Sequence, residues 1–554
     1  MTTEDIRTYD VVVIGAGPVG ENVADRTTAA GLSTVIVESE LVGGECSYWA
    51  CEPSKALLRP ALLRADAGRV PGLHPAAAGP LDTAAVLAHR DRMSAHWNDD
   101  GQVEWLKTAG IELQRGHGRL DGPRRVAVTT PDGGTVHLRA RHAVAVCTGS
   151  GAALPDLPGL AALRPWTSRE ATSARRAPGR LAIVGAGVVA TEMATAWQAL
   201  GTEVTLLARG SRLLPQLEPF AGELVADRLR EAGVDLRFDT TVATAERTDG
   251  EVHLTLTTSG NGRRPPSDGN RLTSSTDNRL TSPDDGRLLP SEDNQLTPSA
   301  GNRLASPDDG PLAPSADNRL TSPDDGPLTA SGDGRLTADE VLFAIGRAPR
   351  TGDIGLESVG LTPGDWLATD DTLTVTAVPG DWLYAVGDVN RRALLTHQGK
   401  YQARIAGAVI AARACGTPLD TGRWSPHAGT ADTAAVPQVV FTDPEIASVG
   451  LTTIEARRTG RRVHVVDYDL GHVAGALQHD PAYRGRARAL IDPDRRTLVG
   501  ATFAGPGVAE LLHSATVAIT GEIPVERLWH AVPPFPTISE VWLRLLETYR
   551  DQTH

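Results

Sequence analysis

Cys46 and Cys51 stand five positions apart in Gly43-Gly44-Glu45-Cys46-Ser47-Tyr48-Trp49-Ala50-Cys51-Glu52-Pro53-Ser54-Lys55, within a chain that has four cysteines. Two thiols that close can cycle between dithiol and disulfide, and so can hold a pair of electrons. Shortly before them runs Gly15-Ala16-Gly17-Pro18-Val19-Gly20, a glycine pattern that lets backbone approach a phosphate. The two features together point to electrons passing from a bound dinucleotide to sulfur. Residues i and i+5 of a regular helix are too far apart for a disulfide, whose Cα atoms lie within ~7 Å. The pair is therefore expected at a distorted helix start, where the positive helix end favours thiolate. A structural disulfide is the bland alternative, and a zinc site lacks two more suitable ligands nearby.

The elements that must position this chemistry are legible. Asp10-Val11-Val12-Val13-Ile14 is an apolar, β-branched run that reads as a buried strand. The glycine turn and a helix to Ala30 follow, then a second strand, Thr34-Val35-Ile36-Val37-Glu38, ending in an acid. Strand, turn, helix, strand and acid in register form a dinucleotide fingerprint in which Gly15, Gly17 and Gly20 shape the turn and Glu38 binds a ribose hydroxyl. The pattern recurs: Leu181-Ala182-Ile183-Val184 leads into Gly185-Ala186-Gly187-Val188-Val189-Ala190, a helix, and the strand Glu203 to Leu207. Two such units imply two dinucleotides and an internal electron transfer. In the second copy Ala208 stands where an acid would grip the 2′-hydroxyl, with Arg209 and Arg212 close by. Loss of the acid and gain of arginines suit a 2′-phosphate, so NADPH is expected over NADH.

The chain has 554 residues, enough for several domains, and a net charge of −14 that argues against nucleic acid as a partner. No apolar stretch approaches the ~20 residues of a membrane span, and no secretory signal is visible at the polar N-terminus. A cytoplasmic protein is the simplest expectation, and there a close cysteine pair is redox or metal chemistry more often than a staple. Lysine occurs only at Lys55, Lys107 and Lys400, although Lys and Arg together number 54. A lysine kept beside the cysteine pair in an arginine-rich chain carries weight.

Composition changes abruptly over 259–337, where leucines recur every eight residues from Leu272 to Leu336 in units such as Asn-Arg-Leu-Thr-Ser-Pro-Asp-Asp. On a helix, steps of eight rotate by ~80°, so these leucines share no face, and Pro and Gly punctuate a strand reading. One buried Leu contributes ~1.5–3 kcal/mol, against ~8–16 kcal/mol to fix eight backbones. The segment reads as a disordered insert; a short β-solenoid or an acidic docking arm is the sharper alternative. Alternation at Val252, Leu254 and Leu256, and the run Val341 to Gly346, seat it in place of a hairpin turn in the second nucleotide domain.

Six ordered markers now carry a resemblance: Gly15 to Gly20; the Cys46–Cys51 segment ending Pro53-Ser54-Lys55; Cys147-Thr148-Gly149-Ser150; the second fingerprint; Tyr384-Ala385-Val386-Gly387-Asp388; and Pro536-Thr537-Ile538-Ser539-Glu540. The chain resembles the class I pyridine nucleotide-disulfide oxidoreductases, the flavoproteins that include dihydrolipoamide dehydrogenase, glutathione reductase and mercuric reductase. The resemblance implies an α/β fold of two Rossmann-like dinucleotide-binding domains and a C-terminal α+β dimerisation domain. It places an FAD-binding domain at 1–155 and an NAD(P)-binding domain at 156–346 carrying the insert. A central segment at 347–430 completes the FAD domain, and an interface domain at 431–554 forms a homodimer with a shared active site. It implies FAD bound by Glu38, Asp388, Gly118, Thr148, Gly149, Ser150 and Thr396, with Lys55 beside the ring and paired with Glu192. Gly185, Gly187, Ala190, Arg209, Arg212 and Gly346 then serve the nicotinamide dinucleotide. By the same analogy Cys51 faces the flavin and Cys46 attacks the substrate.

The sequence also departs from this pattern. The family's disulfide reductases carry His-Pro-Thr near the C-terminus, with the His held by the following Glu; here Phe535 occupies the base position, leaving Glu540 with nothing obvious to orient. General acid–base help is worth ~10²–10⁴-fold, so exchange with ordinary aliphatic disulfides is expected to be impaired. His530 is a possible substitute, though Pro533 and Pro534 stiffen the connection. Neither an N-terminal metal-binding Cys pair nor a C-terminal Cys pair is present; Cys147 reads as core and Cys415 as incidental. The leading expectation is an FAD-dependent NADPH oxidoreductase that reduces a disulfide or another thiol-reducible acceptor through Cys46 and Cys51. The alternatives are a quinone reductase or diaphorase acting at the flavin, and a flavoprotein scaffold whose repeat binds a partner.

Overall fold

A computed structural model describes residues 6–258 and 334–553. The readings of the octad repeat therefore lie outside the described residues, apart from its last few positions. There the expected boundary shifts, because Arg335–Ala338 is already a strand, pairing antiparallel with Glu251–Thr258. The two strands flank the repeat as a hairpin, and Leu336 packs opposite Leu254, so the final leucine of the octad series belongs to the folded sheet.

The first sheet is built on β1 (Ile6–Ile14), whose Val11, Val12 and Val13 have no exposed surface. A strand buried on both faces reads as a continuous apolar run, as here. β2 (Thr34–Glu38) lies parallel to β1 on one side, followed by β3 (Glu112–Arg115). On the other side β6 (Thr135–Val146) is parallel to β1, and the antiparallel strands β5 (Arg125–Thr129) and β4 (His117–Leu120) complete the edge. Leu383–Ala385 adds a parallel strand against β6, so the segment after residue 346 returns to the first sheet. β1 starts four residues before its expected Asp10, because Ile6–Tyr9 also pairs with β6 across a register shift.

Helix α1 (Pro18–Ala29) leaves the fingerprint turn with Pro at its first position, where a missing N–H costs nothing. Gly20 is obligatory for contact rather than for backbone angle: a Cβ there would lie 1.9 Å from the Gly15 carbonyl oxygen. The second sheet repeats the plan with four parallel strands, β7 (Arg180–Val184), β8 (Glu203–Leu207), β9 (Asp235–Arg237) and β10 (Glu340–Phe343), in the order β9-β8-β7-β10. The last of these stops at Phe343, short of the expected Gly346. Between β7 and β8 runs α4 (Val188–Ala199), which is buried along most of its length and carries Trp197 at 0% exposure. A five-stranded antiparallel sheet at 437–504 and the helix Val541–Thr553 form the C-terminal layer. No helix among the described residues is long and apolar enough to cross a membrane.

Because Trp197 anchors the helix that presents Glu192, Trp197→Ala is expected to destabilise this region by about 3–5 kcal/mol. The measurement is the first thermal transition in calorimetry, which should fall, whereas Trp197→Phe should recover most of the loss.

Candidate active site

The cysteine segment folds as two helices, α2 (Gly44–Tyr48) and α3 (Cys51–Arg69), broken at Trp49 and Ala50. Cys46 lies in the short helix and Cys51 opens the long one. Ala50 takes φ −132°, ψ −96°, and this non-helical step is the expected distortion that lets an i, i+5 pair face one another. Gly44 has φ +57°, and a Cβ there would fall 2.7 Å from the Gly17 Cα; only glycine allows the cysteine segment to lie directly on the fingerprint turn. Trp49, between the cysteines, is held from outside by Arg169, whose guanidinium sits 4.1 Å over the indole ring. The Thr172 hydroxyl donates to the Trp49 carbonyl at 2.8 Å.

Both cysteines stand as free thiols. Thr396 lies between them, its Oγ1 3.3 Å from each sulfur. Thr396 is the first residue of α5 (Thr396–Ala414), so two 19-residue helices begin at the sulfur pair. A hydrogen bond from Cys46 is the main influence lowering the Cys51 thiol to about 6, aided by Thr396 and the positive charge of Lys55 and opposed by burial. The same hydrogen bond, with burial and the neighbouring negative charge, pushes Cys46 far above the ordinary thiol range. The two thiols are thus unequal, Cys51 drawn towards the thiolate and Cys46 towards the thiol.

Lys55 follows Cys51 by one turn on the same helical face. Its Nζ donates to Glu192 Oε2 at 2.8 Å, and the other carboxylate oxygen accepts from the Phe441 N–H at 3.0 Å. Glu192 is buried and Lys55 half-exposed, and the ammonium lies 4.9 Å from the centre of the Phe441 ring. A buried carboxylate needs such partners, and here it fixes the lysine in turn.

A cavity of about 550 Å³ opens beside the sulfurs. Of the expected FAD residues, Gly15, Gly17, Glu38, Gly118, Thr148, Gly149, Ser150, Asp388 and Thr396 line it, as do both cysteines, whereas Gly20 and Lys55 do not. Glu38 accepts from the Ala16 N–H at 2.7 Å and the Glu40 N–H at 2.8 Å, and burial raises its carboxyl above the usual range. The Thr148 hydroxyl is buried there without a hydrogen-bond partner, and a Cβ on Gly15 would meet the Cys147 carbonyl oxygen at 2.6 Å. A glycine-floored cavity with an unsatisfied buried hydroxyl and a carboxylate at the end of β2 fits a dinucleotide such as FAD.

The second set of residues sits elsewhere. Gly185 (φ +146°) and Gly187 form the turn from β7 into α4, Ala190 lies in the first turn of that helix, and Gly346 follows β10, the strand beside β7. Ala208 is fully buried, Arg209 is exposed, and Arg212 turns back to donate to the Pro215 carbonyl. Glu540 is buried away from the cavity, and the expectation that it has nothing to hold is corrected: Oε1 accepts from Arg544 at 2.6 Å, while Oε2 has no partner. Phe535 and Val532 are 74% and 84% exposed, and His530 is exposed as well. Sequence reasoning missed two participants: Phe441 grips Glu192, and Arg347 donates to Ser150 Oγ at 2.5 Å while lying 3.3 Å from Asp388. Thr396, expected only as a cofactor residue, also contacts both sulfurs. Arg347 directly follows Gly346, and that adjacency was the available signal.

Fold and site together define an oxidoreductase with two dinucleotide folds and a dithiol at the first. Residues 9–269 match the family model for pyridine nucleotide-disulphide oxidoreductases, and 436–545 match the dimerisation domain of the same family. The chain belongs to the pyridine nucleotide-disulphide oxidoreductase family and is an FAD- and pyridine nucleotide-dependent enzyme. It is 29% identical to dihydrolipoyl dehydrogenase 3 of Pseudomonas aeruginosa over 97% of this chain and 96% of that one. Mercuric reductase of Staphylococcus aureus is 24% identical, over 96% of this chain and 81% of that protein. The fold is also that of the flavoprotein disulfide reductase RclA from Escherichia coli, with TM-score 0.72 and 19% identity over 98% of this chain and 99% of that one. LpdA from Mycobacterium tuberculosis gives TM-score 0.71 and 21% identity over 98% of this chain and 99% of that one.

Since the folded protein favours the charged form of Cys51, thiolate absorbance of the reduced protein should be present above about pH 6 and disappear as pH falls through that value. Lys55→Met removes one source of this shift, so the midpoint should move upward; an unmoved midpoint would show that the lysine does not act on the sulfur.

Proposed function

We propose that the protein carries electrons from NADPH, by way of FAD, to Cys46 and Cys51 and on to a thiol-reducible acceptor. The observation that carries this reading is the close cysteine pair, bridged by Thr396, lining a cavity suited to FAD. Bound FAD supplies a two-electron carrier between nicotinamide and sulfur. The chain's own contribution is to hold Cys51 as thiolate toward that carrier, to keep the proton on Cys46, and to fix Lys55 through Glu192. Glu38, Asp388, Gly118 and the Thr148–Gly149–Ser150 turn serve as the cradle.

The acceptor end is unusual. Phe535 cannot take a proton, and Glu540 is committed to Arg544. Thiol–disulfide exchange is fastest when the leaving thiol is acidic, so a disulfide with a good leaving group, or another electrophile reducible by thiol, suits the site better than an aliphatic disulfide. In a homodimer, the exposed Phe535 would present an aromatic wall to the partner subunit's Cys46, which favours a flat or apolar acceptor. That same wall supports a second reading, in which quinones are reduced at the flavin and the cysteines are bypassed.

NADPH added anaerobically should render both Cys46 and Cys51 alkylatable, as read by mass spectrometry of the tryptic peptides. Cys46→Ser should abolish disulfide turnover; quinone turnover surviving that change is expected under either reading, whereas disulfide turnover surviving it would sink the relay. For the nucleotide, Arg209→Glu should raise KM for NADPH by about 10–100-fold and leave KM for NADH nearly unchanged. Equal effects on both would remove the 2′-phosphate assignment.

A further inference from the structure

A dinucleotide brings two phosphates into the cavity, and the cavity wall is rich in acid. Glu38, Glu40, Glu45, Asp353 and Asp388 all line it. Glu45 follows Gly44, which lies directly on Gly17 of the fingerprint turn. A carboxylate therefore enters the wall next to the turn from which α1 opens, where backbone N–H groups receive phosphate. Like charges at such range repel, so a diphosphate needs a cation with donors to spare.

Among the described residues, three basic side chains line the cavity, His117, Arg347 and Arg350. The first two are already engaged. His117 Nε2 is 3.1 Å from the Asp353 carbonyl oxygen and 3.3 Å from its carboxylate. Arg347 donates from Nε to Ser150 Oγ at 2.5 Å and from Nη2 to the Ser150 carbonyl at 2.8 Å, and it lies 3.3 Å from Asp388. Arg350 differs. It donates from Nη2 to Glu45 Oε2 at 2.9 Å, and its Nη1 stands 3.8 Å from Glu40. A guanidinium has five N–H donors, and among the described residues the others of Arg350 are unused.

Glu40 and Glu45 leave Arg350 this freedom because Arg169, which does not line the cavity, serves both of them. Its Nε and Nη2 reach Glu45 at 2.9 and 2.7 Å, and its Nη1 and Nη2 reach Glu40 at 3.1 and 2.7 Å. The backbone beneath Arg350 is fixed as well. Its N–H donates to the Gly149 carbonyl at 3.1 Å, and Arg347–Pro349 pairs antiparallel with Ser150–Ala152. A Cβ on Gly151 would meet Arg350 Nε at 3.6 Å, so the guanidinium lies against the segment that follows the Thr148–Gly149–Ser150 turn.

We infer that Arg350 is the cation that grips the diphosphate of the bound dinucleotide, one edge of its guanidinium held by Glu45 and the other open to phosphate. A planar fork suits this task, since arginine binds phosphate through paired N–H groups. The inference rests on the reading of the cavity as the FAD seat, and its test needs no turnover. FAD release from the flavin-loaded full chain is followed on dilution by the rise in flavin fluorescence, at low and at high salt. Arg350→Gln should raise the Kd for FAD by about 10–100-fold at low salt. The wild-type Kd should also climb with salt, and that of the Gln variant should climb less, because the lost contact is charge on charge. Arg350→Lys, which keeps the charge without the fork, should recover part of the affinity and of the salt dependence. An unchanged Kd in the Gln variant, or weaker binding with the wild-type salt dependence, overturns the inference and leaves the FAD reading in place. A wild-type protein that holds no FAD removes that reading and the inference with it. Should the Gln variant fail to fold, Arg350→Met read in the same way decides between these outcomes.

Discussion

A negative charge on a half-buried sulfur is the demand that organises this molecule. A thiolate out of bulk water is costly unless donors and positive charge surround it. Here the compensation comes from parts of the chain hundreds of residues apart. Cys46 supplies a hydrogen bond from five residues away, Thr396 another from α5, and Lys55 a positive charge from the next turn of α3. Lys55 is set by Glu192 on α4, and Glu192 is set by the backbone of Phe441. The first sheet's domain, the second fold and the C-terminal layer all contribute residues to this arrangement.

The same demand explains the retained lysine. A guanidinium at position 55 would spread its charge over a planar fork, whereas an ammonium concentrates it at one atom. That atom has to satisfy a buried carboxylate, lie against the Phe441 ring and still act on Cys51. A chain that uses arginine almost everywhere else meets here a place where the two cations are not interchangeable. Arginine is used instead at the periphery, where Arg169 and Arg350 clasp Glu40 and Glu45 in a multidentate network and Arg169 stacks on Trp49. Those contacts brace the loop between the cysteines without entering the chemistry.

Much of this was legible before any coordinates. Strand, glycine turn, helix, strand and acid follow from local rules, and β1, α1 and β2 lie where those rules put them. The helix break between Cys46 and Cys51 follows from the geometry of a disulfide alone. The pairing of Lys55 with Glu192 was available only through family resemblance, because nothing local links residues 137 positions apart. The Thr396 contacts were read as cofactor contacts, since a threonine at a helix start has an ordinary explanation and its nearness to sulfur is purely tertiary. The Glu540–Arg544 pair sits at a familiar helical spacing, but an acid and a base four residues apart are commonplace, and only burial of the carboxylate makes the pair matter.

That exchange at the C-terminus bears on what kind of enzyme remains when a family base is lost. A buried carboxylate with no imidazole beside it would be an uncompensated charge, and such a charge destabilises by about 3–5 kcal/mol unless it is paired. Arg544 meets that need from the helix that follows Glu540, and the second carboxylate oxygen has no partner. With its carboxylate paired to Arg544, the C-terminal segment is held by an ion pair rather than by a contact between Glu540 and an imidazole.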